Sequence, residues 1–564
     1  MFDQVALTSV FTSLGISFVV YISLLFILFY TRQIKKKTSL LTIVNMVFVL
    51  FYLFGLVITL DTQINNLYLI LIGIILLILI FKYNFINNLD SYIPSLSTKE
   101  LIIIVNTIFI GAFLTISFFF VQDFGNLEKT NIHNTPINFY DDIRDNQFAN
   151  YEGDFLIPLN SASRYYFGNK ERITSKLLHI YNITDRAPFI YFIIIAFMKI
   201  FGWSFLNYQM FLAITSFVFI IPLYFISKLF VNTKTSILIL LVAATSHFFI
   251  FTTTYGPNKM IPLFFILSGI FYTLLYLQKK SYKYTKFIAL STIMFSLAFL
   301  SHQYSIIYYI STIFILFINM KKEMIFVVFK YMVIIVMTIF LLGQFNKHVL
   351  PKQNTIYNNV ILESSWSDAG SKINTDSSFH FKDLKVLYSF EYISNKYYNA
   401  IGYFIFNSKP EIIRLFNYHL ITFVGTLGIP LSLILFVFIS KKNLVKYKNL
   451  FIYILLSLLM PVLYNGFYIR MGLMWYAIAG VPLAYIFILA IAKEKLSNIQ
   501  VIKIVLVQII SQFLITIYLI KPELILKINR IFLDYRYLPL LIILIVVVLV
   551  LLLWNIHLYL QDEI

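Results

Sequence analysis

The sequence predicts an all-α polytopic membrane protein, and three observations support this fold class. The chain has 564 residues, of which 60% are hydrophobic and only 12% are charged, whereas a soluble chain is about half apolar and about a quarter charged. The apolar residues form continuous runs, most of them long enough for a helix to cross the hydrocarbon layer. Short clusters of Lys and Arg separate these runs. Because backbone groups in lipid must be hydrogen-bonded within the protein, continuous runs predict helices.

The basic clusters indicate the orientation of the helices. Lys and Arg are enriched in cytoplasmic loops of membrane proteins, and this pattern explains the net charge of +19 without a nucleic acid partner. The chain has no cysteine, which excludes disulfides, cysteine metal ligands and a thiol nucleophile.

The first three predicted spans form an N-terminal accessory unit, residues 1–100. The first run, residues 8–30, is too long for a signal peptide and lacks a basic start, so we expect a retained helix. A basic cluster from Arg32 to Lys37 follows it and is placed in the cytoplasm. Residues 40–60 then lead outward, and residues 67–81 return.

The fourth span, residues 101–121, leads outward and begins the predicted core, residues 101–345. It delivers a polar loop, residues 123–202, to the outer face. The end of this loop, residues 188–202, is apolar but short, and counting it as a span would place Lys228 and Lys234 outside. We therefore expect this segment to lie along the outer surface, or to dip partly into the membrane.

From there the spans alternate, and every strong basic cluster falls on the cytoplasmic side. The remaining core spans are residues 205–226, 236–253, 261–277, 287–300, 304–318 and 324–342. A second outer loop, residues 346–418, precedes the C-terminal unit, residues 419–564. Its predicted spans are residues 419–439, 450–463, 474–491, 501–520 and 538–558. The whole chain is thus expected to form a bundle of about 15 transmembrane helices.

The first outer loop is unusually acidic. It carries nine of the 25 carboxylates of the chain between residues 123 and 186. They are Asp123, Glu128, Asp141, Asp142, Asp145, Glu152, Asp154, Glu171 and Asp185. A loop that only links two spans does not need so many carboxylates, so we expect this loop to take part in catalysis.

Polar residues at three other places converge on the outer face in this topology: Asn258 and Lys259, His302 with Gln303, and Arg470. Ionisable groups near a membrane are costly unless they are paired or used, and these cations lie on the side that normally lacks them. They can also be ordinary interfacial residues whose side chains reach water.

Carboxylates facing cations would suit the transfer of a group from a lipid phosphate. A carboxylate deprotonates the acceptor while the bond to the leaving group breaks. Cations then stabilise the charge that grows on the departing phosphate.

Several motifs follow one another in a family order. In the first outer loop they are residues 151–154 (YEGD), Pro158, 162–164 (ASR), 184–188 (TDRAP) and 199–202 (KIFG). Later motifs are residues 246–259 (SHFFIFTTTYGPNK), 297–304 (LAFLSHQY) and 468–470 (YIR) with Pro482. Over residues 101–492, their order and spacing resemble the GT-C membrane glycosyltransferases, in particular protein O-mannosyltransferases and lipid A aminoarabinose transferases.

The resemblance implies that Asp154 is the catalytic base and that Glu152 is its neighbour or substitute. It also implies a set of residues that bind substrate or phosphate, namely Arg164, Asp185, Arg186, Lys259, His302, Gln303 and Arg470. The donor would be a sugar on dolichyl or undecaprenyl phosphate, transferred to a protein, lipid or glycan acceptor on the extracytoplasmic face of the cell membrane. Tyr165 and Tyr166 are candidates for stacking on a sugar.

The sequence departs from the family at several positions. Gly153 separates two acidic residues that are adjacent in the family, so the base could be Glu152. Asn258 and Lys259 stand where the family often has an Asp, which leaves a divalent metal, Mg or Mn, open. No other cofactor is implied. His302 replaces the usual Lys and would make a phosphate contact dependent on pH.

Two other functions remain open. A flippase or transporter of lipid-linked glycans would bury charges near the middle of the membrane and often contains inverted repeats, whereas this chain has few charges within its spans and no visible repeat. A polysaccharide polymerase or ligase would pair many spans with a large outer loop, which residues 346–418 could supply. The acidic loop directly after an outward span favours the glycosyltransferase.

Overall fold

The computed structural model describes residues 39–59, 67–82, 93–94, 96–123, 189–203, 205–255, 259–279, 285–319, 426–465 and 478–520, with isolated residues elsewhere. All regular structure in these residues is helical. Four helical stretches are long and apolar enough to cross a membrane: Leu40–Ile58, Thr98–Ile116, Asn207–Lys228, which contains a short turn, and Met260–Gln278. Shorter apolar helices accompany them. The predicted all-α polytopic membrane fold is confirmed.

The described N-terminal helices have nearly the predicted bounds. Helix α1 is Leu40–Ile58, and the hydroxyl of Ser39 accepts the N–H of Thr42 at its start. Helix α2 is Leu67–Phe81 and packs on α1. The earlier predicted span, residues 8–30, lies outside the described residues.

Helix α3, Thr98–Asp123, begins with a capping box. The Ser97 N–H donates to the Glu100 carboxylate at 2.7 Å, and the Glu100 N–H donates to the Ser97 hydroxyl at 3.1 Å. This reciprocal pair satisfies N–H groups that have no partner within a helix. It fixes the start of the helix that leads into the acidic loop.

The segment of residues 188–202, expected to lie along the outer surface or to dip partly into the membrane, forms helix α4, Phe189–Phe201, inside the described bundle. Residues 189–198 are all buried, and the helix packs on α1, where the Tyr52 ring lies 4.7 Å from the Phe189 ring. A helix that is apolar all round can be covered by protein or by lipid, and here the buried side chains show that protein covers it. It ends at Gly202, whose φ of 97° is one that residues with a side chain rarely adopt.

The predicted span of residues 205–226 is interrupted. Helix α5 is Phe205–Ser216 and helix α6 is Ile220–Lys228. Pro222 has no N–H to donate to the carbonyl of Val218, so the intervening turn is tighter than a helix. There the N–H groups of Ile220 and Ile221 bond to carbonyls three residues back, at 3.1 and 3.0 Å.

The predicted span of residues 236–253 is also interrupted, at Thr245 and Ser246. Helix α7 is Thr233–Ala244 and helix α8 is His247–Tyr255. Both residues at the break are buried and bonded to later helices described below.

Helices α9 (Met260–Lys279), α10 (Thr285–Ser301) and α11 (Ile306–Asn319) follow. Helices α9 and α10 are antiparallel, because Thr273 contacts Ser291 at 2.8 Å while Gly269, one turn earlier, meets Phe295. The residue before α9 and the residue after α10 therefore lie at the same end of the bundle.

The C-terminal helices enclose this core. They are α12 (Ile429–Phe438), α13 (Lys441–Lys446), α14 (Lys448–Asn465), α15 (Gly480–Lys495) and α16 (Asn498–Ile520). Residues 480–492 of α15 are buried throughout, and this helix packs on α7, α12 and α14. Helix α14 packs on α11, where the hydroxyls of Tyr453 and Thr312 lie 2.9 Å apart.

Three of the 15 predicted spans lie largely outside the described residues: 8–30, 324–342 and 538–558. The second outer loop, residues 346–418, also lies outside them. In the last of these spans, Asn555 is described, and its side chain is bonded to Asn106 at 3.0 Å and to Thr107 at 3.2 Å. A helix near the C-terminus therefore docks on α3 through buried polar groups.

Two ion pairs lie at the end of the bundle where α6 ends. Lys228 contacts Glu100 at 3.2 Å, and Lys446 contacts Glu494. The hydrogen bond to Glu494 raises the pKa of Lys446 above its ordinary value. This is the far end of α9, because the Gln278 amide donates to the Leu229 carbonyl. Lys259, at the start of α9, therefore lies at the end of the bundle opposite to these ion pairs.

Candidate active site

Lys259 lies directly before α9 and is only 2% exposed. Burial of a lysine to this degree is rare, because an ammonium group loses its hydration. The N-terminus of a helix carries a partial positive charge, equivalent to about half an elementary charge. A buried lysine therefore stands at the positive end of a 20-residue helix.

His302 follows the last residue of α10 and is 4% exposed. The backbone N–H of His302 donates to the carbonyl of Ala298 at 2.8 Å, which completes the last turn of α10. The hydroxyls of Ser301 and Ser305 bond to the carbonyls of Leu297 and Ala298. Side chains thus satisfy carbonyls that a helix end leaves open, and this fixes the backbone at His302.

Tyr304 connects these two basic residues. Its hydroxyl donates to the backbone carbonyl of Lys259 at 2.9 Å, and its N–H donates to Nδ1 of His302 at 3.3 Å. The tyrosine and histidine ring centroids are 4.9 Å apart. Because Nδ1 accepts a hydrogen bond, the neutral imidazole carries its proton on Nε2.

Tyr308, one turn after Tyr304, bonds to the start of a second helix, α15. Its hydroxyl accepts the N–H of Ala479, directly before α15, at 3.1 Å. The N-terminus of α9 is therefore attached to the 3₁₀ turn before α11, and that of α15 to the first turn of α11. With Lys259 and His302, these helix ends give this part of the bundle a positive character suited to an anion such as phosphate.

Most of the other predicted site residues lie outside the described residues. They are Glu152, Asp154, Arg164, Asp185, Arg186, Asn258 and Arg470. Gln303 begins the single 3₁₀ turn between α10 and α11. The structure thus places Lys259 and His302 at one end of the bundle, where Tyr304 bonds to both, and the roles of all these residues stay predictions.

Part of the outer loop is anchored at the turn after α4. The ring of Tyr166 stacks on Trp203 at 5.1 Å between centroids, and its hydroxyl accepts a hydrogen bond from Lys199 at 2.9 Å. One of the two tyrosines predicted to stack on a sugar therefore stacks on protein. Among the described residues, no group of three His, Asp or Glu side chains could hold a metal ion.

Sequence reasoning missed the connecting role of Tyr304 and the contact of Lys199. A signal was present for Tyr304, because tyrosines at positions 304 and 308 fall on one face of a helix. Lys199 was visible only as part of the motif at residues 199–202.

Comparison with known proteins gives one match. Residues 185–343 match the family model of the dolichyl-phosphate-mannose-protein mannosyltransferases. No curated protein and no solved structure matches the chain. The matched residues include helices α4 to α11, and therefore Lys259, His302 and Tyr304. Over residues 185–343, the chain is thus similar to the dolichyl-phosphate-mannose-protein mannosyltransferases, a family of GT-C membrane glycosyltransferases.

Proposed function

We propose that this protein transfers a sugar from a polyprenyl-phosphate-linked donor to an acceptor on the extracytoplasmic face of the cell membrane. The observation that carries the proposal is the position of Lys259 and His302. Both are buried at one end of the bundle, within the residues that match the mannosyltransferase family.

The donor phosphate would bind against Lys259 and His302. A phosphate oxygen can accept from the Lys259 ammonium and from Nε2 of His302, while the N-terminus of α9 adds a favourable field. Arg164, Asp185, Arg186, Gln303 and Arg470 are proposed to complete this surface. The polyprenyl chain would remain among the apolar helices, which gives a physical reason for an enzyme embedded in the membrane.

The chemistry would need a base and a leaving group. Asp154, or Glu152 in its place, takes the proton from the acceptor as the acceptor oxygen or nitrogen bonds to the anomeric carbon of the sugar. The bond from that carbon to the phosphate oxygen breaks, and the polyprenyl phosphate leaves with the electron pair. Basic residues at the phosphate act most strongly on charge that develops in the transition state.

The positive-inside rule supports the proposed orientation. The end of the bundle opposite Lys259 carries Lys228, Lys446 and neighbouring lysines, and basic loops face the cytoplasm. Lys259 and His302 would then face the outside.

A reconstituted system tests this function. The full-length protein is placed in lipid vesicles with polyprenyl-phosphate mannose labelled in the sugar, and with Ser- and Thr-rich peptides, lipids or glycans as acceptors. We expect the label to move to an acceptor with release of polyprenyl phosphate. Movement of intact donor across the bilayer without consumption would instead indicate a flippase, and donor that is neither moved nor consumed would argue against both.

A further inference from the structure

Tyr304 occupies a position between the two buried basic residues. It is fully buried in the turn that links α10 to α11. The side chain bonds to the backbone of Lys259, which is 45 residues earlier, and the backbone bonds to the side chain of His302. One residue therefore contacts both candidate phosphate ligands through separate hydrogen bonds.

These bonds restrict both basic groups. The bond from the Tyr304 hydroxyl holds the carbonyl of Lys259, so the lysine side chain begins from a fixed point at the start of α9. The bond to Nδ1 orients the imidazole and leaves Nε2 as the donor of the neutral ring. Two groups that must bind the same phosphate gain from being held at a fixed separation, because less motion is lost on binding.

The buried tyrosine Tyr453 makes a contact of a different kind, with a side chain rather than with the backbone. The hydroxyl of Tyr453 lies 2.9 Å from that of Thr312, which joins α14 to α11 away from the end that carries Lys259. Tyr453 is as fully buried as Tyr304. Replacing either tyrosine by phenylalanine removes one buried hydroxyl and keeps the ring, so the two changes are chemically matched.

We infer that Tyr304 is a positioning residue, whose hydroxyl holds Lys259 in register with His302 for binding a polyprenyl phosphate. The inference rests on the proposed function and assigns a role to a residue that contacts no substrate itself. It requires that the hydroxyl act through Lys259, and that requirement can be measured.

The test is a double-mutant cycle on the full-length protein in detergent. Affinity for undecaprenyl phosphate is measured by titration calorimetry for the wild type, Tyr304→Phe, Lys259→Met and the double variant. We expect Tyr304→Phe to weaken binding about fivefold to tenfold, the loss of one hydrogen bond. In the Lys259→Met background the same change should have no further effect, because the group that it positions is absent. Tyr453→Phe should leave the affinity unchanged in both backgrounds.

The other possible outcomes would contradict either the positioning role of Tyr304 or the proposed function. Equal affinity of wild type and Tyr304→Phe, or fold-changes that multiply in the double variant, would overturn the positioning role while leaving the proposed function standing. A Tyr304→Phe chain that fails to fold beside a folded Tyr453→Phe chain would make the hydroxyl a requirement of the fold, and would also overturn the role. Wild-type protein that does not bind undecaprenyl phosphate would contradict the proposed function itself.

Discussion

The hydroxyl of Tyr485, in α15, lies 3.0 Å from the hydroxyl of Ser246, the residue at which α7 and α8 are separated. The same tyrosine donates to the carbonyl of Thr426 and accepts from the Gln512 amide of α16. The Gln512 carbonyl in turn accepts from the hydroxyl of Thr245. A buried polar network thus surrounds the interruption of a helix within an otherwise apolar bundle.

Gln512→Ala should destabilise the protein by about 1–2 kcal/mol. The change removes the hydrogen bonds to Thr245 and Tyr485 and leaves a small cavity, while Thr245 and Tyr485 keep their other partners. The measurement is thermal unfolding of the purified protein in detergent. Ile510→Ala is the control, because Ile510 lies on the same helix and is 59% exposed. An equal loss in both variants would show that the network does not stabilise the break.

Gly55→Ala should destabilise the packing of α1 on α4 by about 1–3 kcal/mol. A Cβ at Gly55 would overlap the backbone carbonyl of Phe192, which cannot move aside as a side chain does. Thermal unfolding and recovery from membranes measure the effect.

Gly73→Ala is the matched control for Gly55→Ala. A Cβ there would meet the end of the Leu53 side chain, which can change its rotamer. We therefore expect a smaller loss from Gly73→Ala. Equal losses would show that α1 and α4 are not in close backbone contact.

Asp154→Asn should lower the rate of sugar transfer by about 10²–10⁴-fold, the usual contribution of a general base. Glu152→Gln should have a smaller effect if Asp154 is the base. The measurement is the initial rate of donor consumption in vesicles. The reverse order of the two effects would assign the base to Glu152, and full activity in both variants would contradict the family roles.

Lys259→Gln should lower the transfer rate by about 10²-fold, because a donor that stabilises transition-state charge contributes roughly this much. The control is Lys199→Gln. Lys199 lies in the last turn of α4, is exposed and bonds to Tyr166 of the outer loop, so its loss should matter less. Initial rates at saturating donor compare the two variants. A larger effect at Lys199 would move the phosphate site towards the outer loop.

Helix positions in the described residues could largely be predicted from the sequence. The bounds of α2 coincide with the predicted run, and those of α9, α10 and α14 differ from it by only a few residues. Continuous apolar runs and the basic residues at their ends are enough to predict helix positions, because a backbone in lipid must form its hydrogen bonds within the segment, as a helix does.

The helix breaks could not be predicted in the same way. Pro222 was a visible signal for the turn between α5 and α6. At the break, Thr245 and Ser246 bond to Gln512 and Tyr485, far along the chain, and no local pattern shows such partners. The burial of α4 among other helices was not predicted either. An apolar sequence is equally compatible with contact with lipid and contact with protein, and only the packing of distant helices decides between them.

The candidate site was predicted as a convergence of basic residues, and Lys259 and His302 do lie at one end of the bundle. Their connection through Tyr304 was not anticipated, because it needs the packing of α9 against α10 and α11. Sequence motifs indicate which residue types are present, whereas hydrogen bonds between distant turns appear only in three dimensions.

The residues that surround the break between α7 and α8 have an evolutionary consequence. Thr245 and Ser246 lie within the segment shared with the mannosyltransferases, but Tyr485 and Gln512 lie beyond it. A gene fusion that carried only the shared segment into a new host chain would remove the partners that Gln512 and Tyr485 supply to Thr245 and Ser246. Descendants of this protein should therefore inherit the two halves together, and substitutions at Thr245 or Ser246 should coincide with substitutions at Gln512 or Tyr485.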